Sequence, residues 1–228
     1  MGTRVVVDQW LQDIKDTKQL TVFPTPRLVR SRWGPIFDRA LDKFNELSTR
    51  HKLVVKLTRA DGPPDSEKGQ EGGANVQFDY SGSVPRYRFN GEEHTPDEPF
   101  SATEIHGLTE TFTRGGRSVK AFIFVPMYPL ANFEREVGDE VKLFIAVHEL
   151  VHAAGCLSND DHSPENNPDV FCGPPVSTPQ FIQGQTAAED KVGLKSGQLT
   201  PTFFIPPVHA PPIKLSARTA GLIRNRWS

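Results

Sequence analysis

His148 and His152 stand four residues apart, with Glu149 beside the first, in the run His148-Glu149-Leu150-Val151-His152. On an α-helix that spacing sends both imidazoles out of one face, one turn apart. Two nitrogens so placed can reach a single Zn²⁺ at about 2.0–2.1 Å. Glu149 is too short and wrongly aimed to complete the same ligand set. It is placed instead to take a proton from a water that the metal activates, as the glutamate of an H-E-x-x-H segment does. The competing account, a pair of ordinary core histidines, needs a hydrogen-bond partner for each of three buried polar groups. The pattern therefore predicts hydrolytic metal chemistry with Glu149 as general base.

A catalytic zinc takes a third ligand from the protein and leaves one position open for water. The segment that follows, Cys156-Leu-Ser-Asn-Asp-Asp-His162, offers Asp160, Asp161 and His162. Imidazole binds zinc without adding charge and keeps it a strong Lewis acid, which favours His162. Either aspartate is the carboxylate alternative, or a hydrogen-bond partner for a ligand histidine. Cys156 and Cys172 flank this loop, and a disulfide, two reduced thiols, or Cys172 as a ligand all fit the spacing. His51, His94, His106 and His209 stand singly and read as surface or turn histidines.

The elements that must hold these groups follow from periodicity. Val141, Phe144, Ile145, His148, Val151, His152 and Gly155 fall on one stripe of a helix over Asp139–Gly155. Ile36, Phe37, Ala40, Leu41, Phe44 and Leu47 mark a second helix that stops near His51. Lys52–Thr58 and Asn75–Tyr80 read as strands, with a short one possible at Arg86–Phe89. Gly107–Thr113, a turn at Gly115-Gly116 and Ser118–Val125 form a hairpin. Ser216 caps a final helix carrying Ala217, Ala220, Ile223 and Trp227. The layout is α+β, a mixed sheet packed on a backing helix and the histidine-bearing helix, with an irregular C-terminal region ending in a helix.

The run His148-Glu-Leu-Val-His152-Ala-Ala-Gly155 resembles the H-E-x-x-H-x-x-G opening of the metzincin zinc peptidases. The resemblance implies a glycine that lets the chain turn off the helix, φ > 0 costing it little. It also implies a third ligand on the far side of that turn, here His162 in a loop four residues longer than usual. The strand just before the active-site helix is then an edge strand that binds substrate in extended form, and the hairpin Gly107–Val125 occupies that place. The family's methionine turn would fall at His209-Ala-Pro-Pro212, where Ala210 stands in place of methionine, because the only methionines are Met1 and Met127. Three parts are implied: an N-terminal arm over 1–30, an upper subdomain over 31–155, and a lower subdomain over 156–228. The side-chain-selecting pocket would lie within 163–210.

Bulk properties narrow the field. A net charge of −2 without a long basic tract excludes a nucleic-acid partner from the reading. No apolar run approaches the roughly 20 residues that cross a bilayer. The opening MGTRVVVDQWLQDIKDTK lacks the apolar stretch of a secretory signal, so the expectation is a cytoplasmic protein or one exported without a leader. The expected molecule is a monomeric zinc endopeptidase acting on protein or peptide substrates. The rivals are a catalytically silent zinc-stabilised binding module and a metal-dependent hydrolase of another bond, such as an amidase.

Overall fold

The structure is a computed structural model, and it describes residues 9–64, 73–81, 85–89, 91–96, 107–126, 138–163, 169–171 and 212–228. The chain begins with β1 (Gln9–Trp10), α1 (Gln12–Thr17), β2 (Gln19–Pro24) and α2 (Pro26–Arg30), followed by the long helix α3 (Gly34–His51). Next come β3 (Lys56–Arg59), β4 (Val76–Ser81), the small pair β5 (Tyr87–Phe89) and β6 (Glu92–His94), and the hairpin β7 (Leu108–Arg114) and β8 (Arg117–Pro126). Helix α4 (Asp139–Gly155), a short 3-10 turn at Asn159–Asp161 and helix α5 (Ala217–Trp227) complete it.

The fold is a mixed α+β one with a mostly parallel sheet. Its order is β1-β8-β4-β2-β3, with β7 paired to β8. β1, β4, β2 and β3 all run parallel to their neighbours, and β7 alone is antiparallel. Residues 117–118 of β8 pair with both β1 and β7, so β7 lies along the opposite side of β8 from β1 and β4. Among the described residues β7, the first arm of the hairpin, is therefore one edge of the sheet and β3 the other, while β8, the strand just before α4, is interior.

Alternation explains why β8 is apolar on both faces. Ala121, Ile123 and Val125 join the main core with α3 and α4. Phe122 and Phe124 face the other way and pack with Tyr87 and Phe89 of the β5–β6 pair. A strand covered on both faces reads as a continuous apolar run, as the sequence shows.

Three expectations change. Residues 9–30 are not an arm lying on the body: β2 sits between β4 and β3 within the sheet, with Leu20 and Val22 fully buried. Pro24 and Pro26 hid this strand; they mark its end and the start of α2, whose N-cap Thr25 accepts from the Leu28 N–H. The strand expected over Lys52–Thr58 starts only at Lys56, because Lys52 (φ 53°) closes α3 in the left-handed conformation and Val54 (φ 76°) reverses the chain again. Helix α4 is buried all round rather than along one stripe, since α3, β7, β8 and α5 all pack on it. Among the described residues no helix is long and apolar enough to cross a membrane.

Candidate metal centre

Helix α4 starts with Asp139 and Glu140, whose charges suit the positive end of the helix dipole. It ends on Cys156 (φ 48°), whose N–H reaches back to the Ala153 and His152 carbonyls. Leu157 N–H also bonds the His152 carbonyl, at 3.1 Å. This reversal carries the chain back over the last turn. As a result the Leu157 carbonyl lies 2.7 Å from His152 Nδ1. The left-handed residue is thus Cys156 and not Gly155. Gly155 serves close approach: a Cβ there would lie 2.6 Å from Leu157 Cγ and 3.2 Å from Ile223 Cγ1.

His148 is held in the same manner, with Nδ1 2.8 Å from the Val170 carbonyl. A carbonyl only accepts, so both rings carry their proton on Nδ1 and Nε2 is the unprotonated nitrogen. His148 Nε2 and His152 Nε2 are 3.1 Å apart, and His162 Nε2 is 3.1 Å from His152 Nε2. The structure therefore brings His162 to the two helix histidines, and among the described residues these three form the group able to hold a metal ion. The aspartates stay out. Asp160 is exposed, and Asp161 accepts from Ser158 N–H at 3.0 Å and faces Arg226 at 3.8 Å.

Whether these residues fit a cation can be tested on the lone pairs. With the proton on Nδ1, the His148–His152 contact has none to share between its two Nε2 atoms, and the two lone pairs face each other. Burial strengthens the point, holding the His152 pKa down to about 4, so that the ring stays neutral. A tetrahedral site with metal–nitrogen bonds of about 2.0–2.1 Å spaces its nitrogens about 3.3–3.4 Å apart. The two contacts to His152 are 3.1 Å, and all three nitrogens lie within 4.8 Å of one another. A cation at the common point turns mutual repulsion into coordination. The residues fit.

Phe171 forms the floor. Its ring centroid lies 5.4 Å from that of His148, 4.6 Å from His152 and 4.8 Å from His162. An apolar floor of this kind limits the directions in which the imidazoles can tilt.

Glu149 is 4% exposed and lies against the start of β7. Thr109 Oγ1 donates to Glu149 Oε2 at 2.7 Å. Beside it, a Cβ on Gly107 would come within 2.5 Å of Glu149 Oε1. Burial raises the Glu149 carboxyl to about 8, opposed by the Thr109 hydrogen bond. Burial thus favours the protonated carboxyl in the metal-free protein, and a cation held at the histidines would favour the ionised form.

Sequence reasoning missed Thr109, Gly107, Phe171 and the Val170 carbonyl. None lies within a recognisable spacing of the histidines; each arrives through tertiary packing. His51 and His94 lie elsewhere, His51 ending α3 and His94 stacking on Tyr87. His106, Cys172, His209 and Ala210 fall outside the described residues, as does most of the expected pocket region 163–210. Compared with known proteins, the chain matches no protein family and no curated relative.

Proposed function

We propose that this chain is a zinc-dependent endopeptidase of metzincin-like design, in which His148, His152 and His162 hold the metal and Glu149 is the general base. The observation that carries the reading is the meeting of three histidine nitrogens, all within 4.8 Å of one another, two of them from the helix that also carries the buried carboxyl of Glu149. Three neutral imidazoles suit Zn²⁺ among the common divalent ions. Bound there, zinc supplies Lewis-acid activation of water and of the scissile carbonyl.

The chain's own residues do the remainder. Glu149 accepts a proton from the attacking water, and its buried setting lets it keep that proton until the leaving amine takes it. The Thr109 hydroxyl fixes the orientation of the carboxyl. Among the described residues strand β7 pairs only with β8, and its Thr109 touches Glu149; a sheet edge so placed is the arrangement that accepts an extended peptide backbone. The backing helix α3, packed on α4, supports the same likeness to metzincins.

The test is turnover of an unfolded protein substrate by zinc-loaded protein, with Glu149→Gln and His162→Ala beside the wild type. Wild type should cleave and stop on chelation. Glu149→Gln should keep about one equivalent of zinc and lose nearly all cleavage, while His162→Ala should lose zinc. Zinc binding with no cleavage by wild type would favour the silent module. Cleavage of small amides alone would favour the amidase.

A further inference from the structure

Asp169 is 3% exposed and is neither one of the three histidines nor the proposed base Glu149. Its carboxylate accepts four hydrogen bonds. Oδ1 takes Ser163 Oγ at 2.7 Å and Phe171 N–H at 2.8 Å. Oδ2 takes Ser216 N–H at 2.8 Å and Thr219 Oγ1 at 2.6 Å. All four partners are donors, so the group works only as an acceptor, and both oxygens are used.

The partners come from three separate stretches of chain, and two of those stretches carry parts of the metal centre. Ser163 directly follows His162. Val170, between Asp169 and Phe171, provides the carbonyl that orients His148. Phe171 is the ring on which all three imidazoles pack. The third stretch is the start of α5, where Ser216 is the N-cap. Two backbone bonds run alongside, from Ser163 N–H to the Phe171 carbonyl at 2.7 Å and from Val170 N–H to the Lys214 carbonyl at 2.8 Å. Further along α5, Arg218 donates to the Asp161 and His162 carbonyls at 2.6 and 3.1 Å.

The geometry points to Asp169 as the positioning residue that sets the third ligand and the aromatic floor against the two helix histidines. This rests on the metal reading above. His148 and His152 sit on a rigid helix, whereas His162 sits in a loop whose angle of approach must come from elsewhere. A four-fold acceptor buried under that loop, tied to α5, fixes it. A metal centre needs its ligands held to within about 0.5 Å and 10–20°. The carboxylate supplies that tolerance by charge-assisted hydrogen bonds to backbone and hydroxyl groups at once.

The test uses Asp169→Asn in the full chain. Asparagine keeps the shape but sets an NH₂ against two of the four donors. Zn²⁺ affinity, measured by competition with a chromophoric chelator, should fall about 10–100-fold. The visible spectrum of the Co²⁺-loaded protein should change in band shape. Leu57→Ala, in the strand β3 at the other end of the sheet, is the control for general destabilisation and should leave that spectrum as in wild type. Should Asp169→Asn fail to fold, Thr219→Val removes one donor and should weaken Zn²⁺ by about 2–10-fold with the same spectral change. A folded Asp169→Asn protein, or failing that Thr219→Val, with wild-type affinity and spectrum overturns the proposal and leaves the metal reading intact. A wild-type protein that binds neither ion overturns both.

Discussion

Glu149 and His152 are both buried, and they respond to burial in opposite directions. Burial raises the Glu149 carboxyl to about 8 and lowers the His152 imidazole to about 4, because both charged forms lose solvation. The consequences for stability differ in sign. His152, depressed from 6.5, binds its proton more tightly when unfolded, so its contribution is lost as pH falls from about 6.5 towards 4. His162, also lowered by burial, acts in the same sense. Glu149, raised from 4.5, binds its proton more tightly when folded, so its contribution is complete below 4.5 and is lost as pH rises towards about 8. The two oppose each other up to about 6.5, and above that Glu149 acts alone. Metal-stripped protein should therefore lose stability between about pH 6.5 and 8, and Glu149→Gln should abolish that loss. Urea midpoints of both proteins across the window measure it; equal slopes would show that Glu149 does not carry the effect.

At the scale of elements, the centre is a junction between α4 and the start of β7. Gly107 shows how tight that junction is. Gly107→Ala would place a methyl 2.5 Å from Glu149 Oε1, so the carboxyl must move from its Thr109 hydrogen bond. If the chain is the zinc peptidase proposed, the expected result is unchanged zinc content with cleavage reduced at least about 10-fold, since a misplaced base is poorly aligned for proton transfer. Wild-type turnover in Gly107→Ala would show that the carboxyl has room to spare. Much of this architecture is legible in the residues alone. α3, α4 and α5 announce themselves through apolar residues at helical spacing, and the β7–β8 hairpin through Gly115-Gly116. Spacing also pairs His148 with His152, and ligand chemistry singles out His162 over its neighbouring aspartates. What stays hidden depends on contacts distant in sequence. β2 is a short strand between helices, masked by prolines that belong to its end and to the next cap. Thr109 reaches Glu149 across 40 residues, and Phe171 meets the histidines through a reversal no local pattern encodes. Gly155 was legible as a requirement but not in its cause, because its neighbours Leu157 and Ile223 come from the turn beyond it and from another helix.

Over the whole molecule, the earliest and latest described segments converge on the last turn of α4. Trp10, in β1, donates its indole N–H to the Ala153 carbonyl at 3.0 Å. Trp227, at the end of α5, does the same to the Ala154 carbonyl at 2.7 Å. Both carbonyls belong to the last turn of the helix, where no regular i+4 N–H follows to bond them. The turn that carries His152 is thereby anchored from two sides by large buried rings.

Those indoles also make the centre visible to light. Two of the three tryptophans are fastened to the residues that directly follow His152. Their emission therefore samples the surroundings of the histidine cluster without any attached dye. Cu²⁺, which imidazole ligands bind well and which absorbs and quenches indole emission, should darken the protein stepwise, with a break near one equivalent. His148→Ala should show no such break, and excess Zn²⁺ should slow the darkening of wild type. Quenching that rises smoothly and identically in both proteins would mean that the copper is being taken up elsewhere.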